Sequence, residues 1–164
     1  MKTFDLTEEN QKLFNDLFEE TGYHNYMQLR LIGLAKSKDV ITVNRPNAVA
    51  KHVGHLPDDV VTILVYEDAF DRLDDKNKRL LIKDAFNLIS YDSEKDKITI
   101  GTPMITVTVN GRQMWGDELI NASEMAVMAV QQIEEEKREA REEEKARKAA
   151  EKAAKKQYKN SNAQ

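Results

Sequence analysis

The sequence predicts an α+β fold, in which a mixed sheet of about four or five strands is packed by three or four helices and followed by a long charged helix. Residues 59–66 are β-branched on both faces, which is typical of a central strand. Residues 74–91 carry apolar side chains at helical spacing. Residues 134–159 contain no Leu, Ile, Val, Met or Phe, so the core is expected within residues 1–133.

The N-terminal part of the chain predicts a helix followed by a strand. Thr7 is a residue type that caps helix N-termini, and Gly22 is a helix terminator. One face of this helix carries its apolar residues Leu13, Phe14, Leu17 and Phe18. Residues 28–35 favour a strand because apolar positions alternate with Arg30, although a helix starting at Asn25 competes with that interpretation.

The middle of the chain predicts two strands and two helices. A turn leads into a strand at 40–43, and a short helix is predicted over 47–53 and ends at Gly54. The central strand at 59–66 comes next. The helix over 74–91 begins with two Asp and has an apolar stripe formed by Leu81, Ile82, Ala85, Phe86 and Ile89.

The last part of the body predicts a hairpin and a final helix. Residues 97–100 and 105–109 alternate as strands do, and Asn110-Gly111 is a tight-turn signal that predicts a hairpin after the second run. A helix is expected from about Asp117. Its apolar seam comprises Leu119, Ala122, Ala126, Ala129 and Ile133.

The charged segment 134–164 allows a coiled coil, a disordered run or a free-standing helix. Continuing the apolar seam by heptads reaches only polar residues and one alanine, namely Glu136, Ala140, Glu143 and Arg147. Pairs such as Glu144 and Lys148 have the favourable i,i+4 order for helix stability. We therefore predict a solvated helix that frays toward Asn160, outside a globular domain of residues 1–133.

The charge is divided unevenly along the chain. Residues 134–144 hold seven Glu against three Lys or Arg, and residues 145–159 hold one Glu against seven Lys or Arg. These segments carry −4 and +6, so the body carries −6 within a net charge of −4. An acidic body disfavours broad contact with nucleic-acid phosphates, so nucleic acid is an alternative partner that is not favoured.

The absence of Cys excludes disulfides and thiolate metal sites. The N-terminal residues lack an apolar signal core, and no run approaches the length of a membrane span. We expect a cytoplasmic protein that does not associate with membranes and binds no cofactor. The oligomeric state is left open.

Two histidines are the first candidates for metal ligands. His52 and His55 are three residues apart, and a carboxylate such as Asp84 would complete a site. Gly54 and Pro57 interrupt the helix that would aim both histidines at one metal, so residues beside a turn are the preferred interpretation. No phosphate-binding glycine loop and no nucleophile elbow occur in the sequence.

Two groups of residues are candidates for partner binding. Met114 and Trp115 lie near Met125 and Met128 in the last helix, and such residues are common in binding surfaces, although their spacing favours a place in the core. The second group is basic and comprises Lys145, Arg147, Lys148, Lys152, Lys155 and Lys156. Neither group has the composition of a catalytic site.

Residues 60–82, with the segment that follows to Ile98, resemble metallopeptidase-like proteins of phages and prokaryotes. In that family a strand, a Phe-x-x-Leu turn and a helix lead into H-E-x-x-H, in which two His bind zinc and Glu is the general base. The corresponding residues here are Lys83-Asp84-Ala85-Phe86-Asn87, and only Asp84 keeps the acidic character. The resemblance implies a degenerate, phage-encoded member without the zinc ligands.

From these observations we expect a non-enzymatic phage protein that binds a host or phage macromolecule and inhibits or redirects a host machine. A residual metal-dependent hydrolase is the first alternative. A nucleic-acid accessory factor that uses the basic residues of 145–159 is the second.

Overall fold

The computed structural model describes residues 2–95, 97–101 and 107–161, and it confirms the α+β fold. The strands are β1 (Thr3–Phe4), β2 (Gln28–Leu34), β3 (Ile41–Asn44), β4 (Val60–Val65), β5 (Ile89–Asp92) and β6 (Lys97–Ile100). The helices are α1 (Glu8–Glu20), α2 (Ala48–Gly54), α3 (Glu67–Phe70), α4 (Asp75–Phe86) and α5 (Val109–Ser161). A single 3₁₀ turn, Tyr23–Asn25, precedes β2.

The main sheet has the strand order β1-β2-β4-β3. β4 pairs in parallel with β2 and antiparallel with β3, so the predicted central strand is central. Val61, Ile63 and Val65 of β4 are fully buried, as expected of a strand that is covered on both faces. β5 and β6 form a separate antiparallel pair, in which Ile89 lies opposite Ile100.

Aromatic contacts join α1 to the elements that follow β4. The ring of Phe14 lies 5.6 Å from that of Phe70, and the ring of Phe18 lies 5.6 Å from that of Phe86. All four side chains are buried. The predicted apolar face of the first helix is confirmed at Phe14, Leu17 and Phe18, whereas Leu13 is only half-buried.

The prediction of one helix over 74–91 is wrong at its C-terminal end. α4 ends at Phe86, and residues 89–92 form strand β5. Asn87 is the C-cap, and the backbone N–H of Gly101 donates to the carbonyl of Leu88 at 2.7 Å. The chain leaves the helix because the backbone of 89–92 pairs with β6, an element that is distant in sequence.

The hairpin predicted at Asn110-Gly111 is also wrong. Val109 is the first residue of α5, and Asn110 and Gly111 lie in its first turn. Residues 105 and 106 of the predicted strand lie outside the described part of the chain. α5 therefore begins about two turns before the expected start near Asp117.

α5 contains one interruption, at Gly116, where φ is 53° and ψ is −130°. A positive φ favours glycine, so this residue permits the break between two helical stretches. Beyond it, the seam predicted in the sequence is confirmed within the first compact unit, because Leu119, Ala122, Ala126 and Ala129 are buried. The chain divides into two compact units after Val130. In the second unit, residues 131–161 are helical and residues 134–151 are exposed.

Phe86 tests the assignment of the buried face of α4. We expect Phe86→Ala to lower the free energy of unfolding by about 3–5 kcal/mol, because it removes a fully buried aromatic ring. Lys83→Ala is the control, since Lys83 makes an ion pair with Glu20 at 3.0 Å between largely solvated side chains. Its cost should stay below about 1 kcal/mol. Urea denaturation measures both values, and equal losses would contradict the assigned packing.

Candidate functional site

Asp84 is the one acidic residue retained from the degenerate motif, and its carboxylate is buried against the start of α5. The backbone N–H of Thr108 donates to Asp84 Oδ2 at 3.1 Å, and the hydroxyl of Thr108 donates to Oδ1. The oxygen of the same hydroxyl accepts from the N–H of Gly111 at 2.8 Å. Asp84 therefore orients the threonine that caps α5, which is a structural role.

Gly111 allows this close approach. A Cβ at position 111 would overlap Asp84 Oδ1 and would lie 2.7 Å from a methyl group of Leu119 and 2.8 Å from the Thr108 hydroxyl oxygen. Gly111 is therefore needed in the first turn of α5 to leave room for the Asp84 side chain, and not to form a tight turn. No local sequence pattern indicates this contact, because Asp84 and Thr108 are 24 positions apart.

Glu67 is a second buried carboxylate that interacts with a threonine in the same way. Its Oε1 accepts from the backbone N–H and the hydroxyl of Thr7, both at 2.8 Å, and from the side-chain amide of Asn10 at 2.7 Å. Thr7 is the N-cap residue of α1, as predicted, but its hydroxyl donates to Glu67 and does not cap the helix itself. Sequence reasoning did not single out Glu67 from the surrounding acidic residues.

The two candidate histidines are exposed. His52 lies in the last turn of α2, and His55 follows that helix with a left-handed φ of 49°. Beyond them, the Lys51 ammonium bonds the Asp58 carboxylate and holds its pKa below the ordinary value. Within the described ranges, no group of three His, Asp or Glu side chains is arranged to hold a metal ion. The exposed histidines and the buried Asp84 are not brought together as a site.

The methionines of α5 are largely exposed, contrary to the preference for a place in the core. Exposed fractions are 67% for Met114, 45% for Met125 and 56% for Met128. Trp115 is half-buried and packs against the cluster that contains Leu80 and Leu119. The helical spacing correctly predicts the alanine seam, but Met125 and Met128 lie beside that seam and not within it.

We call Met125 and Met128 the methionine patch. They are three residues apart and therefore neighbours on the helix surface. The amide of Asn77 on α4 contacts the sulfur of Met125 at 3.5 Å, and Lys76 pairs with Glu118 at 3.0 Å about two turns earlier on α5. The patch is thus an apolar surface with polar groups at its margin, which is the usual composition of a binding site.

A cavity of about 420 Å³ lies between β3, α4 and α5. It is lined by apolar residues such as Val43, Leu81 and Val127, with Lys38 and Asp39 among its polar members. Asp84 also lines it, but the carboxylate oxygens of Asp84 already accept hydrogen bonds from Thr108. The cavity therefore offers no second buried carboxylate for acid–base chemistry with Asp84 among the lining residues that the structure describes.

The basic candidates lie in the second unit. Lys145, Arg147 and Lys148 are exposed on the helix, and Lys148 pairs with Glu144 at 2.6 Å. Arg138 pairs with Glu135 at 3.1 Å. For Lys152, Lys155 and Lys156 the structure describes the helical backbone only.

Comparison of the chain with protein-family models, with curated proteins and with solved structures finds no match in any of the three. The resemblance to phage metallopeptidase-like proteins therefore stays a prediction. Within the described residues, none of the helices has both the length and the apolar character that crossing a membrane requires.

Metal content tests the assignment of the histidines. We expect the purified protein to contain no stoichiometric zinc and to show no rise in melting temperature when zinc is added, because a bound metal would stabilise the folded state. The variant His52→Ala/His55→Ala serves as the control. A saturable zinc-dependent rise in the wild type that disappears in this variant would contradict the assignment.

The close approach of Gly111 to Asp84 predicts an interaction between the two substitutions. Gly111→Ala should destabilise the protein by about 1–3 kcal/mol through overlap with the carboxylate. Asp84→Ala should cost a similar amount, because it leaves the buried Thr108 N–H without its acceptor. In the double variant part of the overlap is relieved, so its loss of stability should be smaller than the sum of the two single losses by at least about 0.5 kcal/mol. Additive losses in thermal unfolding would refute this account.

Proposed function

We propose that this chain is a non-enzymatic binding protein that recognises a protein partner through the methionine patch on α5. The observation that carries the proposal is the exposure of Met125 and Met128 beside a well-packed seam. Methionine is flexible and polarisable, so exposed methionines suit an apolar surface that adapts to a partner. Because solvating these side chains costs free energy, their burial in a complex would contribute to affinity.

The roles of the buried carboxylates support binding over catalysis. Glu67 and Asp84 each accept hydrogen bonds from the backbone and hydroxyl of a threonine at the start of a helix. A general base needs a lone pair that can reach a substrate proton. These carboxylates instead hold α1 and α5 in place, and a residual hydrolase that uses Asp84 with His52 and His55 is the less supported alternative.

The origin and the compartment of the protein belong to the same proposal. The resemblance of residues 60–98 to phage-encoded proteins suggests synthesis in the host cytoplasm and a host or phage protein as the partner. Inhibition or redirection of a host machine is the outcome we favour for such a complex. The identity of that machine would come from the partner itself.

A pair of matched variants tests the proposal. Met128→Glu places a charge in the methionine patch, whereas Asn15→Glu places the same charge on the exposed face of α1. Immobilised wild-type protein would be used to capture partners from a bacterial lysate, and the affinity of the captured protein would then be measured for each variant. We expect Met128→Glu to weaken binding by at least about tenfold, the effect of a residue in the centre of an interface.

Asn15→Glu should change the affinity by less than about threefold. Circular dichroism would establish that both variants remain folded. Equal weakening by both variants, or the absence of any specifically captured protein, would contradict the proposed role of the methionine patch.

A further inference from the structure

The charged part of α5 carries a line of basic residues along one side of the helix. Arg138, Arg141, Lys145 and Lys148 follow one another at intervals of three, four and three residues. The same alternation continues through Lys152, Lys155 and Lys159, and the backbone is helical over the whole of this range. Positions at these intervals share one side of an α-helix, so we call the seven residues the basic stripe.

A neighbouring side of the helix has a different composition. Glu135, Glu139 and Glu142 follow the same three-and-four spacing, roughly a third of a turn around the helix from the stripe, and the spacing then continues through alanines from Ala146. The described members of the stripe are exposed, and Arg138 and Lys148 each form an ion pair with a glutamate at its margin, Glu135 and Glu144.

The stripe itself is a poor contact for the stripe of a second copy of the chain. It holds only basic residues from Arg138 to Lys159, so an antiparallel copy would present like charges to it.

The composition of the stripe also disfavours a protein groove or a membrane. A helix that docks in a protein groove uses apolar anchors at intervals of three and four, and a helix that lies on a membrane buries an apolar face. From Arg138 to Lys159 the stripe has only Lys and Arg, and the segment contains no Leu, Ile, Val, Met or Phe. Recognition must therefore come from charge alone, which is how proteins contact nucleic-acid phosphates.

We propose that the basic stripe binds the phosphate backbone of a nucleic-acid duplex without reading its sequence. At 1.5 Å per residue the stripe is about 32 Å long, close to one turn of a duplex. This binding site is independent of the methionine patch and goes beyond the proposed function.

The number of basic residues predicts a steep dependence on salt. If all seven residues contact phosphates of duplex DNA, a plot of log affinity against log salt concentration should have a slope of about −6. Contacts by only the four residues with described side chains would give a slope of about −4. A partner bound through apolar contacts would show a much smaller slope.

The experiment uses the full-length protein with fluorescently labelled duplexes of about 20 base pairs, one of DNA and one of RNA, and measures anisotropy over a range of salt concentrations. Lys145→Ala/Lys148→Ala removes two members of the stripe. Ala146→Glu/Ala150→Glu lowers the net charge by the same amount on the other side of the helix. The stripe variant should reduce the slope by about 2 and the affinity at 0.1 M salt by roughly 50-fold.

The control variant should lose less than about fivefold, because its added charges are screened across the helix. Circular dichroism would confirm equal helix content in the two variants. Binding of only one duplex type would identify which nucleic acid supplies the phosphates and would support the proposal. Equal losses in the two variants, no binding at low salt, or equally tight binding of poly-glutamate would overturn it, the last by indicating an acidic protein as the partner.

Discussion

The bond between the Asp84 carboxylate and Thr108 is the contact on which the start of α5 depends. It fixes the first turn of α5 against α4, and the helical stretch that carries the methionine patch follows the break at Gly116. The contact is buried. Replacing Asp84 would therefore leave the N–H and the hydroxyl of Thr108 without this acceptor in a site that excludes water. Gly111 is required at the same point because any side chain would occupy the space of the carboxylate.

The same arrangement occurs at the start of α1, where Glu67 takes the place of Asp84 and Thr7 takes the place of Thr108. In both cases a carboxylate from a later or earlier helix accepts from the backbone and the hydroxyl of a threonine that precedes a helix. A negative charge near a helix N-terminus is also favoured by the helix dipole. Buried carboxylates are frequent signs of catalysis, but here their hydrogen bonds give them a sufficient structural explanation.

The elements defined by local patterns could be predicted from the sequence, and the errors have identifiable physical causes. The β-branched run of β4 and the apolar face of α1 depend on neighbouring residues only. Ile89 fits both the helical stripe of α4 and the alternation of β5, so periodicity could not separate them; pairing with β6 decided the outcome. Asn110-Gly111 has the residues of a tight turn, but the contact that requires glycine comes from Asp84, which is distant in sequence. The same limit applies to the candidate site. The alanine seam could be predicted from local spacing, but the exposure of the methionines depends on how α5 packs.

The two proposed surfaces of α5 use different physical interactions, and this difference makes them separable. The methionine patch has apolar side chains beside a packed seam, so its contribution to binding comes from removing them from water and depends little on salt. The basic stripe has no apolar side chain, so its contribution comes from the release of counterions and falls steeply as salt is added. At physiological ionic strength the Debye length is about 8 Å, which limits the stripe to groups in direct contact with it. A protein partner held by the patch would therefore remain bound under conditions that release a nucleic acid from the stripe.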